Sequence, residues 1–270
     1  MTGSPPDWLN HFGDATPVID PESHMRELAG RGDGDARARC PALVMGGFIE
    51  PMVAPIAEAT GAVDSNLKPN LRIGDLDGHR VGVALVPVGA AHATTVLEEL
   101  IGLGARTFLI AGATGALRSG IDVGDYVIAT SALREEGTSY HYQPPEHPAR
   151  ADGPATRALI EAAGSGKRPA HPGRVWTTDA PYRESTGKVR RYARHGVLSV
   201  DMEASALMIV TEFRGADLGM ILTVSDLVYR RDWPNIFGTD EYRANCADMA
   251  SIVVRAARAL LAAREEAPRP

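Results

Sequence analysis

Between residues 80 and 111 the chain reads as an apolar strand, a helix and a second apolar strand, and this unit restricts what it can fold into. Residues 93–103 repeat apolar side chains at helical spacing, and residues 107–111 are a short continuous apolar run. Two strands joined by a helical crossover lie parallel in one sheet. Just upstream, Asp77-Gly78 is a hairpin-type turn joining a strand at 71–76 to the one at 80–87, so the sheet is mixed.

The same alternation continues along the chain. Pro41 precedes a short strand at 42–45 that meets Gly46-Gly47, and residues 52–60 read as helix. Further strands are expected at 125–132, 174–178, 197–200 and 219–224, with helices at 154–163, 188–195, 204–213 and 241–263. The polar, aromatic and proline-rich stretch 135–152 reads as a long functional loop. Residues 1–40 read as an arm or cap with one short helix near 21–28, residues 41–263 as a single domain, and residues 264–270 as a frayed tail.

Composition sets outer limits. A chain of 270 residues with 44% hydrophobic content and 28 glycines suits one large α/β core. No apolar run reaches the roughly 18 residues that a membrane helix needs. The start, MTGSPPDWLNHFGD, lacks a basic, apolar signal segment, so a cytoplasmic location is expected. Cys40 and Cys246 form neither a disulfide framework nor, with no histidine at ligand spacing, a metal site. The net charge of −6 and the lack of basic blocks argue against nucleic acid as a partner, and a small anion would need a local positive site.

Three stretches carry chemistry. In Val200-Asp201-Met202-Glu203-Ala204 a strand hands over to a helix. A carboxylate there, Glu203, can hold sugar hydroxyls and favour positive charge at the carbon whose bond is breaking, with Met202 packed beneath the sugar's apolar face. An acidic first helix turn beside a core methionine explains the same residues. Val224-Ser225-Asp226 places an acid at a strand's carboxyl end, where ligands collect in open α/β sheets. As a neutral acid, kept so by burial and by carboxylates such as Glu203, Asp226 could donate to a departing base; a turn cap is the competing reading. Gly112-Ala113-Thr114-Gly115-Ala116-Leu117 ends a strand with small residues, suited either to close approach of a ligand or to tight packing.

Together these residues resemble the purine nucleoside and uridine phosphorylase superfamily, which also contains the methylthioadenosine nucleosidases. The resemblance covers residues 41–262 and rests on the order of Leu76-Asp77-Gly78, Val96-Leu97-Glu98-Glu99-Leu100, 108–117, Ile121-Asp122-Val123-Gly124-Asp125, 134–142, Thr177-Thr178-Asp179, 200–206 and Val224-Ser225-Asp226. It implies a single three-layer α/β domain with a central mixed twisted β-sheet flanked by helices. It also implies cleavage of an N-glycosidic bond without metal or organic cofactor, and assembly as a dimer, trimer or hexamer. Met202 and Glu203 would hold the ribose, and Asp226 would contact a purine. The loops at 139–142, with Tyr140 and His141, and at 179–184 would border the base, with Thr178, Asp179, Tyr182 and Arg183 as contacts.

The resemblance also locates an anion site, and there the chain departs from the pattern. Phosphorolytic members carry Gly-Asp-Pro-x-Arg after the first strand; this chain has Gly46-Gly47-Phe48-Ile49-Glu50. Ile110 stands at a second arginine position and Ala113 at a threonine position, leaving Gly46, Gly89, Ala113 and Thr114 around the nucleophile. Phosphate favours the arginine fork, whereas a carboxylate beside a water can activate it. Hydrolysis of a purine-like nucleoside is therefore expected, with Glu50 handling water. The first alternative is phosphorolysis, with inorganic phosphate as cosubstrate held by Arg72, Lys68, Arg118, His92 or an arginine of another subunit. The second is a non-catalytic nucleoside-binding protein. His92, near a helix start, would touch phosphate, water or a ribose hydroxyl, unless it is a satisfied capping histidine.

Overall fold

The computed structural model describes residues 17–31 and 39–266. The strands among them are β1 (Leu43–Gly47), β2 (Val63–Asp64), β3 (Leu71–Leu76), β4 (His79–Leu85), β5 (Thr107–Ala116), β6 (Tyr126–Glu135), β7 (Ala149–Arg150), β8 (Ala170–Thr178), β9 (Val197–Asp201) and β10 (Asp217–Leu227). The helices are α1 (Pro21–Arg31), α2 (Glu50–Thr60), α3 (Ala90–Gly102), α4 (Pro154–Ala163), α5 (Thr186–Arg194), α6 (Ala204–Phe213) and α7 (Asp240–Glu266).

The strands form one mixed sheet in the order β10-β6-β8-β9-β5-β1-β4-β3-β2, and β10 also pairs with β5. That extra pairing closes β5, β10, β6, β8 and β9 into a barrel-like ring, from which β1, β4, β3 and β2 extend. The expected crossover is present: β4 and β5 both lie parallel to β1, one on each side, joined by α3. Helices α2, α4 and α7 cover one face around Met52, Ile56, Leu159 and Ile252, while α3 and α6 cover the other around Leu97, Leu100, Leu207 and Val210. The result is the expected three-layer α/β domain, with the sheet partly rolled. No helix among the described residues is long and apolar enough to cross a membrane.

Some boundaries differ from the sequence reading. β5 continues to Ala116 and β10 to Leu227, so the small-residue stretch and Ser225-Asp226 lie within strands, not beyond their ends. The glycines and alanines of 112–116 are weak strand formers, but β5 pairs with β10 throughout this stretch and also with β9 at Gly115 and Ala116, and tertiary pairing overrides propensity. Helix α1 packs on α3 through the buried Met25. A Cβ on Gly102 would lie 2.7 Å from the Pro21 carbonyl, which shows how closely the two elements meet. Helix α7 runs to Glu266, into the stretch read as frayed. The rest of that stretch, and much of the expected N-terminal arm, lie outside the described residues.

The long loop after β6 is built around one side chain. Arg134 donates from Nε to Ser139 Oγ at 2.8 Å and from its terminal nitrogens to the carbonyls of Pro144 (2.6 Å), His147 (2.9 Å) and Gln143 (2.7 Å). The stretch includes a 3-10 turn at Thr138–His141 and the short β7, and the guanidinium ties it to the sheet. Arg134→Met keeps the apolar stem and removes this fork. It should destabilise the fold by about 2–4 kcal/mol, because charged hydrogen bonds are lost and carbonyls are left without donors. Limited proteolysis with mapped cut sites checks it: cleavage within 135–148 should accelerate, and an unchanged rate would contradict the anchoring role.

Candidate active site

The site is laid out by the ladder around β5. Gly115 pairs with Val200 of β9 on one side and with Asp226 of β10 on the other. Neighbouring strands lie about 4.8 Å apart, so the exit of β9 and the Asp226 carboxyl stand roughly 10 Å apart across this glycine. Only glycine fits here. A Cβ would lie 2.3 Å from Val228 Cγ2 and 3.1 Å from Asp226 Oδ2. The β10 register shifts between Val224 and Asp226, and such a bulge re-aims the side chains that follow it.

On the β9 side, the acid that holds the start of α6 and the ligand-facing acid are two different residues, and the first turn of α6 itself carries no acid. Asp201 caps α6: its Oδ2 accepts from the backbone N–H of Ala204 (2.6 Å) and of Glu203 (3.1 Å), and its Oδ1 accepts from the Thr177 hydroxyl (2.7 Å). The Ser205 N–H donates in turn to Thr177 Oγ1 at 2.9 Å. Glu203 is thereby freed from capping. It is 4% exposed, and its Oε1 accepts from the Gly89 N–H at 2.7 Å. Burial, and then the charge of Asp201, raise the Glu203 pKa above the ordinary glutamate value. Burial raises Asp201 as well, but its three donors oppose the shift. Asp201 is therefore the better anion of the pair, and Glu203 is the group that takes up a proton. Gly89 has φ +100°, and no atom lies within 4 Å of where its Cβ would be, so this turn faces open space. Met202 is partly exposed beside Glu203.

On the β10 side, Asp226 is 6% exposed and both its oxygens are engaged. The Ser225 hydroxyl donates to Oδ1 at 2.8 Å, and the Trp233 indole N–H donates to Oδ2 at 2.7 Å. The acid that senses Asp226 is Glu184, whose carboxyl is pushed up to about 7, first by burial and then by the Asp226 charge, against an opposing pull from Lys188. The sequence reading took Glu184 only as the end of a loop. Trp233 carried no sequence signal of a site.

The nucleophile side is arranged differently from expectation. Glu50 is not a free carboxylate: Arg72 Nη1 lies 2.8 Å from its Oε1, and the Glu50 side chain is 48% exposed. Arg72 reaches it from β3, and Lys68 before the same strand pairs with Glu99. A cleft of about 230 Å³ lies alongside, lined by Phe48, Lys68, Asn70, Pro87 and His92 among others. Pro87 and His92 flank the Gly89 turn, and His92 is exposed. Gly46 and Gly47 answer to packing, since a Cβ on either would come within 2.8 Å of Ala84 O or 2.7 Å of Met52 Cβ. Ala113 packs toward the α2–α4–α7 core, and the buried Thr114 hydroxyl donates to the Val200 carbonyl at 2.7 Å, tying β5 to β9.

The loop residues divide. Asp179 Oδ2 accepts from the Gly137 N–H at 2.8 Å and joins the two loops, and the buried Thr178 Oγ1 accepts from the Ala180 N–H at 3.3 Å. Tyr140 donates its O–H to the Arg134 carbonyl at 2.9 Å, with its ring 4.4 Å from the guanidinium, so it supports the loop. Tyr182 (101%), Arg183 and His141 are exposed in the single chain. Among the described residues, no group of three or more His, Cys, Asp or Glu is placed to hold a metal ion.

Residues 42–262 match the phosphorylase superfamily. The chain belongs to this family. Among its relatives it is 33% identical over 201 residues to the uridine phosphorylase of Salmonella typhimurium, covering 69% of this chain and 78% of that protein. The uridine phosphorylase of Escherichia coli gives the same figures. The guanosine phosphorylase of Halorubrum lacusprofundi is 30% identical over 203 residues, covering 75% of this chain and 84% of that protein. The protein is thus a small-molecule enzyme of nucleoside metabolism that cleaves a glycosidic bond. The expectation of hydrolysis is corrected. It rested on the missing arginines at the motif positions and on Glu50 as a free base, whereas these relatives are phosphorylases and Arg72 and Lys68, named there only for the alternative, bring partly buried positive charge to the β1–β3 side of the fold.

The raised Glu184 pKa has a consequence for stability. Its folded value lies above the ordinary 4.5, so its contribution is complete below about pH 4.5 and is lost as pH rises through about 7. Asp201 and Glu203 act in the same direction. The thermal midpoint should therefore be lower at pH 8 than at pH 5.5, and Glu184→Gln should remove part of that fall. Calorimetry at the two pH values checks this, and a variant with an undiminished fall would contradict it.

Proposed function

We propose that this enzyme is a phosphate-dependent nucleoside phosphorylase acting on purine-type ribonucleosides. The observation that carries the reading is the pair of buried carboxylates, Glu203 and Asp226, held on the two sides of Gly115. Glu203 receives the ribose hydroxyls, with Met202 against the sugar, and the base lies toward Asp226. Phosphate enters from the cleft beside Gly89, drawn by Lys68, Arg72 and His92. A phosphate oxygen bonds to the anomeric carbon as the carbon–nitrogen bond breaks. The base leaves with the electron pair and is protonated on the Asp226 side, where Glu184 holds a proton near neutrality. The products are ribose 1-phosphate and free base.

The positive character that develops on the sugar is stabilised by Glu203 as its ribose contacts form, which is electrostatic preorganisation. Glu50 then belongs to the anion side as the partner that holds Arg72. Support for a purine comes from the Ser225-Asp226 pair and from the guanosine phosphorylase among the relatives. The enzyme is also read as a homo-oligomer, a dimer, trimer or hexamer. Val88, 54% exposed beside the Gly89 turn, and the fully exposed Tyr182 support a covered surface near the site.

The test is turnover of inosine, guanosine and uridine against phosphate concentration, with sugar products identified. Rate should rise from near zero with phosphate, giving one ribose 1-phosphate per base released. Free ribose formed as fast without phosphate would contradict it. Glu203→Gln should lower kcat by about 10²-fold or more. Lys68→Met and Arg72→Met should each raise the phosphate KM by about tenfold, with smaller effects on the nucleoside KM. A phosphate KM unchanged in both would remove these cations from the anion site.

A further inference from the structure

The connection after β10 folds back onto the strand that carries Asp226. Ile236 N–H donates to the Ser225 carbonyl at 2.9 Å, Leu227 N–H donates to the Pro234 carbonyl at 3.0 Å, and Asp226 bridges antiparallel to Asn235. Trp233 sits at the return of this turn with φ +41°, a backbone region that bulky residues rarely occupy. The turn holds it there through its own N–H to the Arg230 carbonyl at 3.3 Å and through Asn235 Nδ2 to its carbonyl at 3.2 Å.

The orientation of the ring is unusual. Tryptophan is highly buried on average, and its N–H usually finds a partner when the ring is inside. Here the polar edge points inward, to Asp226 Oδ2 at 2.7 Å, and the ring is 52% exposed. Phe237, 48% exposed, lies beside it with centroids 6.3 Å apart. An exposed indole thus meets, through its N–H edge, the carboxylate oxygen that a base would need, with the exposed Phe237 ring beside it. Ser225 already holds the other oxygen, so a base nitrogen competes with the indole N–H for Oδ2.

We propose that Trp233 is a specificity-determining residue of the nucleoside site. Its indole N–H occupies Asp226 Oδ2 while the site is empty. A heteroaromatic base with a ring N–H displaces it, and the released indole, with Phe237, covers the face of that base. A bicyclic base offers more area to this cover than a monocyclic one, so Trp233 favours purine over pyrimidine nucleosides. The inference rests on the placement of the base at Asp226.

The experiment compares the parent with Trp233→Phe and Trp233→Ala, using kcat/KM for guanosine and uridine together with tryptophan emission on titration with guanine. The chain has three tryptophans, and Trp176 is fully buried, so the difference between parent and Trp233→Phe isolates position 233. Guanine should change the emission of the parent in a saturable way, and Trp233→Phe should lose that change. Trp233→Phe keeps a ring and loses the competing donor, so its guanosine KM should fall. Trp233→Ala should lose about tenfold or more in guanosine kcat/KM, the size of a lost base–aromatic stack, with a smaller loss for uridine. An equal loss on both substrates, or emission indifferent to saturating guanine in a parent that cleaves guanosine, overturns the proposal. A parent that cleaves uridine alone overturns the purine reading and the preference assigned to Trp233. The covering role is then decided by uracil in the same titration, and an unchanged emission there overturns it too.

Discussion

The register of β5 between β9 and β10 is the constraint on which the site depends. A strand has a side-chain period of two, so a slip of one residue would turn Asp226 away from its face and shift the exit of β9. Gly115 leaves room for the Asp226 carboxyl, and the Thr114 hydroxyl fastens β5 to the Val200 carbonyl one residue before Asp201. The bulge at Ser225 then sets the aim of Asp226. Asp201 completes the arrangement by capping α6, which leaves Glu203 to the ligand side with the Gly89 N–H on its Oε1. Functional geometry here is set mainly by backbone pairing, with side chains needed to hold the register.

The electrostatic logic follows from that crowding of acids. Asp201 and Glu203 interact on the β9 side, and Asp226 and Glu184 on the β10 side, in a chain of net charge −6, which is unfavourable ground for phosphate. Positive charge is supplied from β3 and the turn before it, where Arg72 and Lys68 each hold a glutamate. Such pairs keep the cations in position at little net stability, since partly exposed ion pairs contribute roughly 0–1 kcal/mol. An incoming dianion then meets a preorganised cation and has only a weak existing partner to displace. Protonation of Glu203 in the empty site eases the repulsion further, and ribose hydroxyls favour its ionised form when substrate arrives.

The sequence carried the sheet, most helices and the two acidic motifs, because strand-to-helix periodicity and local patterns such as Asp201-Met202-Glu203 are written in consecutive residues. It did not carry the ends of β5 and β10, where pairing with neighbouring strands outweighs weak strand propensity. It also could not show which acid caps the helix, since Asp201 and Glu203 are separated by geometry alone. The larger error, hydrolysis for phosphorolysis, came from giving the missing motif arginines more weight than Arg72 and Lys68, which were held only as alternative phosphate ligands. The pair Glu50–Arg72 spans a helix and a strand, and local spacing does not report such contacts. Trp233 on Asp226 is legible only once the chain has folded back on β10. Tyr182 and Arg183 were named from their loop, and in the single chain both point to solvent.

The most direct test of the central claim is a crystal structure of the protein with phosphate and an unreactive purine nucleoside analogue. The account predicts one nucleoside spanning Gly115, its ribose hydroxyls within hydrogen-bonding distance of Glu203 and its base within hydrogen-bonding distance of Asp226. It also predicts phosphate on the Gly89 side, within reach of Lys68 or Arg72. A nucleoside bound with its base away from Asp226, or phosphate held on the far side of β5 from Gly89, would contradict it.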